Sequence, residues 1–148
     1  MSVICFSYTS SASPLNALLL CVVAAVNELV LIGLHAKPTD AVNEMEALVD
    51  VHTAVQLHWD TDNILIMGDL NAECSYASQT ELSNLNLRDD PPFDWLIGDE
   101  VDTTTSSTDC AYDRCALRSF RPTIANPDSS GRPQTRGQNV VTICRFWL

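Results

Sequence analysis

The most constraining feature of the sequence is a pair of short apolar runs with a helical pattern between them. Leu29–Leu34 and Ile64–Met67 each contain two β-branched residues and predict two buried strands. Between them, one face of a helix is predicted by residues that recur at spacings of three and four: Met45, Leu48, His52, Val55 and Trp59. Two strands joined by a crossover helix favour a parallel pair. The sequence therefore predicts an α/β fold, with His52 at the edge of its core.

Polar side chains follow both predicted strands at their carboxyl ends. Asp69 and Asn71 come directly after Gly68, and His35 follows the first strand. Because parallel strands end at the same edge of a sheet, His35 should lie near Asp69 and Asn71. A carboxylate beside an amide suits a hard cation and the phosphate oxygens around it, and Gly68 permits a sharp turn. The simpler alternative is a strand followed by a turn rich in Asn and Asp.

The charge distribution excludes simple electrostatic attraction to a polyanion. The 148 residues carry a formal charge of −11. Residues 1–114 hold 18 of the 19 acidic residues and three of the eight basic ones, a net charge of −15, whereas residues 115–148 hold five basic residues and one acidic residue, a net charge of +4. A nucleic acid substrate would therefore need divalent cations to bridge it to the larger part of the chain.

The cysteines and the apolar segments indicate the compartment. No Cys-x-x-Cys pair is present, which favours a disulfide framework and an oxidising environment for the six cysteines: Cys5, Cys21, Cys74, Cys110, Cys115 and Cys144. The apolar run Ala17–Val26 is too short to span a membrane, so no membrane association is expected. Residues 1–16 contain no Lys or Arg, and no clear signal peptide is visible.

The rest of the chain is consistent with one domain followed by an irregular tail. Ala17–Val26 reads equally as a buried helix segment or a strand, Ser78–Leu87 as a short helix and Phe93–Ile97 as a short strand. After Arg114 the chain is rich in Arg, Pro, Ser and Gly and reads as irregular, with only Val140–Cys144 resembling a strand.

Three stretches together resemble a known family. They are Leu-His-Ala-Lys-Pro-Thr-Asp-Ala-Val, Gly-Asp-Leu-Asn-Ala-Glu-Cys and Asp-Thr-Thr-Thr-Ser-Ser-Thr-Asp-Cys-Ala-Tyr-Asp-Arg. They resemble the second half of the deoxyribonuclease I family, within the endonuclease/exonuclease/phosphatase superfamily. The resemblance implies a partial α/β sandwich, roughly one half of the four-layer fold. It divides the chain into a lead-in (1–26), a partial catalytic domain (27–114) and a divergent basic tail (115–148).

The resemblance implies roles for particular residues. His35 matches a histidine that contacts the scissile phosphate as general acid, and Asp69 and Asn71 match the pair that holds the phosphate and a catalytic Mg²⁺. Asp113 matches an acidic residue of the same active site. A structural Ca²⁺ site is matched by residues of the Thr-rich loop: Asp102, Thr104, Ser106 and Thr108. Cys74 and Cys110 match a disulfide that closes this loop, and the family is commonly secreted.

The sequence also departs from the family pattern. Residues 1–26 do not resemble the family's first half, which supplies an acidic Mg²⁺ ligand and an acidic residue that orients the histidine matched by His35. The family's general-base histidine has no counterpart after Arg114, because the other two histidines, His52 and His58, lie on the predicted helix. Half a sandwich would also leave one apolar sheet face uncovered.

Three functions therefore remain in view. The first is a Mg²⁺- and Ca²⁺-dependent endonuclease that hydrolyses DNA phosphodiesters, by descent, with impaired or absent activity in this chain. The second is a non-catalytic, Ca²⁺-stabilised fragment or binding module. The third is another hydrolase of the superfamily, acting on phosphoinositides or sphingolipids, against which the Thr-rich loop and the cysteine pair argue.

Overall fold

The protein is organised around one mixed β-sheet with a long helix connecting its two central strands. The computed structural model describes residues 3–8, 18–23, 29–89, 93–105, 107–118 and 144. The strands are β1 (Val3–Tyr8), β2 (Leu18–Val23), β3 (Leu29–Leu34), β4 (Ile64–Asp69), β5 (Phe93–Trp95) and β6 (Asp113–Arg118). Their order across the sheet is β1-β2-β3-β4-β6-β5. The predicted α/β class is confirmed, and it is consistent with part of a deoxyribonuclease I-like fold.

The central pair β3 and β4 is parallel, as the sequence predicts. Val30 lies opposite Ile64 and Gly33 opposite Met67, while the other neighbouring strands in the described sheet pair antiparallel. The carbonyl of Asn63 accepts a hydrogen bond of 2.8 Å from the amide of Val30, which sets the register where the two strands begin. Both strands therefore end at one edge of the sheet.

Helix α1 (Ala41–Trp59) makes the crossover between β3 and β4. A short 3-10 turn precedes it, and the helix ends where Asp60 takes a left-handed conformation, with φ of 49°. The predicted face is buried at Met45, Leu48, His52 and Val55, and Trp59 packs partly buried against the same core. His52 is only 1% exposed, so it lies inside the core and not at its edge. Its ring packs edge-on against Phe93, with centroids 5.0 Å apart.

Both faces of β4 are buried, whereas the face of β3 that carries Leu31 and Gly33 is half-buried. Alternate side chains of β4 point to opposite faces, so that Ile64 and Ile66 join the core under α1 whereas Leu65 and Met67 join a second cluster. That second cluster includes Cys144, which is 3% exposed. The expectation of an uncovered apolar face is therefore wrong for β4, because residues distant in sequence close over it.

The smaller elements differ in detail from the sequence pattern. Leu18–Val23 is a strand, which resolves the choice left open for that segment, and residues 3–8 form a further strand that no pattern had indicated. The predicted helix after Ser78 is two short helices, α2 (Gln79–Ser83) and α3 (Asn86–Asp89). Ser78 caps the first of them in a reciprocal capping box with Glu81.

Strand β6 carries the sheet beyond the point where the sequence turns irregular. It runs to Arg118 and pairs with both β4 and β5, whereas the predicted strand at Phe93–Ile97 ends at Trp95. Apart from Cys144, the strand-like segment Val140–Cys144 lies outside the described residues. Among the helices of the described ranges, none has the length and apolar content needed to cross a membrane.

Candidate metal and phosphate site

The close approach of β3 and β4 at their carboxyl ends depends on Gly68. This residue has φ of 139°, and a Cβ atom placed on it would overlap the carbonyl oxygen of Leu34. Only glycine meets both conditions without strain. Immediately after it, the carbonyl of Asp69 accepts a hydrogen bond of 2.8 Å from the amide of Ala36. The segments that follow the two strands are thus joined through their backbones.

Asn71 ties the same two segments together through its side chain. Its Nδ2 donates a 2.8 Å hydrogen bond to the carbonyl of Ala36, and its backbone amide donates a 3.1 Å hydrogen bond to Oδ1 of Asp69. Asn71 is 4% exposed and has φ of 48°, in the left-handed region that asparagine tolerates better than most residues. Because the amide nitrogen is committed to Ala36, the amide oxygen is the atom that Asn71 can offer to a cation.

Asp113 lies directly opposite Asp69 across the antiparallel pair of β4 and β6. Burial is the largest cause that raises the pKa of the Asp113 carboxyl, and the negative charge of Asp69 raises it further. A hydrogen bond with Thr103 and the charge of His35 act in the opposite direction and are outweighed. Two neighbouring carboxylates with incomplete compensation form a site of excess negative charge, which suits a bound cation.

The four catalytic candidates come to one edge of the sheet. His35 is exposed directly after β3 ends, and its charge acts on Asp113, while Asp69 ends β4 and Asn71 lies two residues beyond it. Within the described ranges, no three side chains of the His, Cys, Asp and Glu types converge as a metal-binding group. A cation at Asp69 would therefore need ligands of other types, such as the amide oxygen of Asn71 and the oxygen atoms of a bound phosphate.

The Thr-rich loop forms a second cluster of oxygen atoms. Oδ1 of Asp102 accepts hydrogen bonds from the amide and hydroxyl of Thr104, at 2.9 and 2.7 Å, and from the amide of Cys110 at 3.3 Å. The Thr104 hydroxyl also lies within hydrogen-bonding distance of the Thr108 carbonyl, and its single proton is donated to one of these two oxygen atoms at a time. These hydrogen bonds, led by the Thr104 amide, hold the pKa of Asp102 below its ordinary value. Ser106, the fourth expected Ca²⁺ ligand, lies outside the described residues.

A disulfide joins the two clusters. Cys74 follows the Asn71 turn, Cys110 ends the Thr-rich loop, and the structure bonds them to each other as the resemblance implies. Next to the bridge, the carboxylate of Glu73 accepts a hydrogen bond from the amide of Ala111. Movement of one loop is therefore restrained by the other.

A second disulfide, Cys115–Cys144, was left open by the sequence. Cys115 lies on β6 with its side chain in the second cluster of buried residues, and Cys144 joins the same cluster. No spacing rule identifies such a pair, because 29 residues separate the two cysteines along the chain.

Two residues beside the site, Tyr112 and Arg114, have contacts that the sequence did not predict. The backbone carbonyl of Tyr112 accepts a 3.0 Å hydrogen bond from the amide of Leu70, so it supports the turn that carries Asn71. Arg114 is 1% exposed and donates to the carbonyl of Ala72 at 3.0 Å. Arg114 ends one of the three stretches that carry the resemblance, but no role was inferred for it from the sequence.

The described elements define the class of site: an acid and amide pair and a histidine at the ends of two parallel strands, with a second acid opposite. Comparison with known proteins finds similarity to deoxyribonucleases. A 92-residue stretch, 62% of this chain, is 51% identical to deoxyribonuclease-1 of Sus scrofa and covers 32% of that protein. A 95-residue stretch is 50% identical to deoxyribonuclease gamma of Homo sapiens and covers 31% of it. A 94-residue stretch is 50% identical to deoxyribonuclease gamma of Mus musculus and covers 30% of it.

Over this stretch the chain is related to the deoxyribonuclease I family. It spans about a third of the length of the curated relatives it matches. No protein-family model matches the sequence.

Proposed function

We propose that residues 27–114 are the phosphate- and metal-binding part of an endonuclease that hydrolyses DNA phosphodiester bonds. The observation that carries this proposal is the bond from the Asn71 side chain to the Ala36 carbonyl, which joins the segment carrying His35 to the segment carrying Asp69. About 50% identity to proteins named as deoxyribonucleases supports the choice of DNA as substrate. A resemblance of fold alone would not support that choice.

Asp69 and Asn71 are proposed to hold Mg²⁺ together with oxygen atoms of the substrate phosphate. The unbalanced negative charge of Asp69 and Asp113 fits a cation, and a carboxylate with an amide oxygen is a donor set that a hard divalent ion accepts. A bound Mg²⁺ would neutralise charge that develops on the phosphate oxygens during hydrolysis. It would also allow a chain of charge −11 to approach a polyanion.

His35 is proposed to act as the general acid, with Asp113 beside it. In hydrolysis, water adds to phosphorus, the bond from phosphorus to the leaving oxygen breaks, and that oxygen needs a proton, which an exposed imidazolium can donate. Asp113 lies close enough to His35 for the charge of the imidazole to act on its carboxyl.

We propose that these 148 residues, tested alone, hydrolyse DNA much more slowly than an endonuclease that has a general base. The proton of the attacking water needs an acceptor, and general-base assistance contributes about 10²- to 10⁴-fold in rate. The other two histidines lie on α1, and His52 is buried in the core beneath it. Neither supplies a base at the edge that carries His35.

An oxidising location, extracellular or within the secretory pathway, is proposed for this protein. Two disulfides among the described residues, Cys74–Cys110 and Cys115–Cys144, support it, because cytosolic thiols are mostly kept reduced.

Nicking of supercoiled plasmid in Mg²⁺ plus Ca²⁺ tests the proposed activity. We expect slow nicking by the wild-type chain, loss of nicking in Asp69→Ala, and retention in Asp50→Ala. Asp50 is a matched control because it removes the same charge from an exposed position on α1. Nicking that persists unchanged in Asp69→Ala would show that this site does not carry the activity.

A non-catalytic, Ca²⁺-stabilised module is the second candidate function. It is favoured by the convergence of Asp102, Thr104 and Thr108 in a loop that is tied to the sheet through Cys110. A cooperative thermal transition that rises with Ca²⁺, without nicking under any cation condition, would support this candidate. Nicking that depends on Asp69 would argue against it.

A further inference from the structure

Arg114 is a charged side chain buried in the interior of the fold. It lies on β6 directly after Asp113, opposite Gly68 in the register, and its side chain has 0% exposure. A guanidinium removed from water must be compensated by good hydrogen bonds or an ion pair. The identity of its partners therefore indicates what the side chain does.

The partners of Arg114 come from two separate loops. One Nη1 contact is an ion pair of 2.8 Å with Asp99, and the other is a hydrogen bond of 3.2 Å to the carbonyl of Ile97. Nη2 donates a 3.0 Å hydrogen bond to the carbonyl of Ala72. The planar fork of arginine thus holds the loop after β5 and the turn after β4 at a fixed separation.

The ion pair with Asp99 does not by itself explain the arginine. Asp99 is also bonded by Arg88, at 2.7 and 3.3 Å, and its side chain is 36% exposed. Burial raises the pKa of Asp99, but the two arginines outweigh this effect and lower it. Arg88 compensates Asp99 from a partly exposed position, so the contacts made by Arg114 alone are those to the carbonyls of Ile97 and Ala72.

Ala72 follows the residue whose orientation matters for the proposed site. Asn71 has φ of 48° and Cys74 has φ of 58°, so the turn contains two left-handed residues that are not glycine. Such conformations persist only where the surroundings hold them. The amide of Leu70, bonded to Tyr112, fixes one side of Asn71, and the carbonyl of Ala72, bonded to Arg114, fixes the other.

We propose that Arg114 is a positioning residue: by holding the Ala72 carbonyl, it keeps the Asn71 side chain in the orientation that serves with Asp69 as a cation site. The cation site in this inference rests on the proposed function. The restraint of the turn by Arg114 rests only on the observed contacts. Arg114 itself lies on the opposite face of β6 from Asp113, since successive residues of a strand alternate.

The test compares Arg114→Lys with Arg88→Lys. Lysine keeps the charge in both variants, but a single ammonium cannot hold Asp99, Ile97 and Ala72 together. Arg88→Lys weakens the same ion cluster and leaves the Ala72 contact in place, so it is the matched control. Amide hydrogen exchange is measured at Leu70 and Asn71, and exchange at Ile66 in β4 is the reference for global unfolding. Denaturant is added to the more stable variant until both variants have the same free energy of unfolding.

We expect exchange at Leu70 and Asn71, relative to Ile66, to be about tenfold faster in Arg114→Lys than in Arg88→Lys. Mn²⁺ affinity, followed by electron paramagnetic resonance, should fall about tenfold in Arg114→Lys only, as for the loss of a group that orients a metal ligand. Equal exchange in the two variants overturns the proposal, and so does unchanged Mn²⁺ affinity. Wild-type protein that binds no Mn²⁺ contradicts the proposed function instead, and the exchange comparison still accepts or rejects Arg114 as the residue that holds the turn.

Discussion

The two oxygen-rich clusters shift the pKa values of their carboxylates in opposite directions. In the Thr-rich loop, Asp102 receives three hydrogen bonds from its own loop, and its pKa is lowered. At the strand ends, Asp113 faces the carboxylate of Asp69, and burial with this repulsion raises its pKa. In the first cluster, hydrogen bonds from the loop compensate the charge of Asp102, whereas in the second cluster the charge of Asp113 is compensated only in part. The difference teaches that acidic composition alone does not distinguish two carboxylate clusters, because hydrogen bonding and burial give their members opposite pKa shifts.

Glycine substitutions should give the largest contrast between the two regions. Gly68 precedes Asp69 and Gly98 precedes the Thr-rich loop. Gly68→Ala places a Cβ against the Leu34 carbonyl at φ of 139°, and we expect it to lower the free energy of unfolding by about 4 kcal/mol or more. In Gly98→Ala the three atoms nearest to the added Cβ all belong to the carboxylate end of Glu100, a flexible side chain, so the cost should stay below about 1 kcal/mol. Urea unfolding measures both.

Equal destabilisation by these two substitutions would contradict the view that β3 and β4 meet more tightly than the loop region packs. The candidate site would then lack the rigid edge on which its geometry depends.

Removal of the bridge between the regions should have the next largest effect. The double variant of Cys74→Ala and Cys110→Ala opens a loop whose ends are 36 residues apart, and the chain-entropy relation predicts a loss of roughly 3 to 4 kcal/mol. The variant should also lose any increase in Mn²⁺ affinity that Ca²⁺ causes in the wild type. Chemical denaturation and metal titrations check the two effects.

The other disulfide provides the control for this coupling. Cys115 and Cys144 are 29 residues apart, so their replacement should cost a similar free energy, but their bridge does not join the two oxygen clusters. Coupling between Ca²⁺ and Mn²⁺ should survive in that variant. Coupling that is lost equally in both variants would assign it to general destabilisation.

Acid should destabilise the protein through His52, a core residue outside both regions. Burial, with a smaller effect of Arg118, lowers its pKa from 6.5 to about 4, against a weaker opposing effect of Asp62. Among the described residues neither ring nitrogen has a hydrogen-bond partner. The folded state therefore keeps the ring neutral while the unfolded chain protonates below pH 6.5.

Stability should then be complete above pH 6.5, decrease by up to roughly 3 kcal/mol as the pH falls to about 4, and change no further below that value on account of His52. His52→Leu should flatten this part of the profile, measured by urea unfolding at successive pH values. An unchanged slope in His52→Leu would assign acid sensitivity to the carboxylates instead.

The central architecture was readable from the sequence because its signals are local. Leu29–Leu34 and Ile64–Met67 are apolar on both faces, as buried parallel strands require, and the helix between them shows its face at regular spacing. The same logic predicts His35 at the edge of the sheet where Asp69 lies, and the parallel strands β3 and β4 do end at one edge.

Other features depend on contacts that no local pattern reveals. Strand β6 contains only three apolar residues between Arg114 and Arg118, so it reads as the start of an irregular tail, and it is a strand because β4 and β5 pair with it. The burial of Arg114 likewise requires Asp99 and the carbonyls of two loops. Asp113 was assigned to the site by resemblance alone, and its register opposite Asp69 is a property of the assembled sheet.

Neutralisation of single carboxylates is the smallest effect, and it tests the comparison most directly because the two regions should respond with opposite signs. Asp113→Asn should raise the melting temperature by a few degrees at neutral pH, since it removes a half-buried charge beside Asp69, and should weaken Mn²⁺ binding. Asp102→Asn should lower the melting temperature by a few degrees, since an amide cannot replace the charged acceptor of three hydrogen bonds.

The pH dependence separates the two substitutions further, in the His52→Leu background. The raised pKa of Asp113 means that its penalty is absent below the ordinary value of 3.8 and present once the pH exceeds the folded pKa, so the stabilisation by Asp113→Asn should vanish in acid. The lowered pKa of Asp102 means that its contribution is present above 3.8 and is lost as the pH falls through the folded pKa. Calorimetry that finds the same sign for both variants would contradict the distinction between Asp102, whose charge is compensated by hydrogen bonds of its loop, and Asp113, whose charge is compensated only in part.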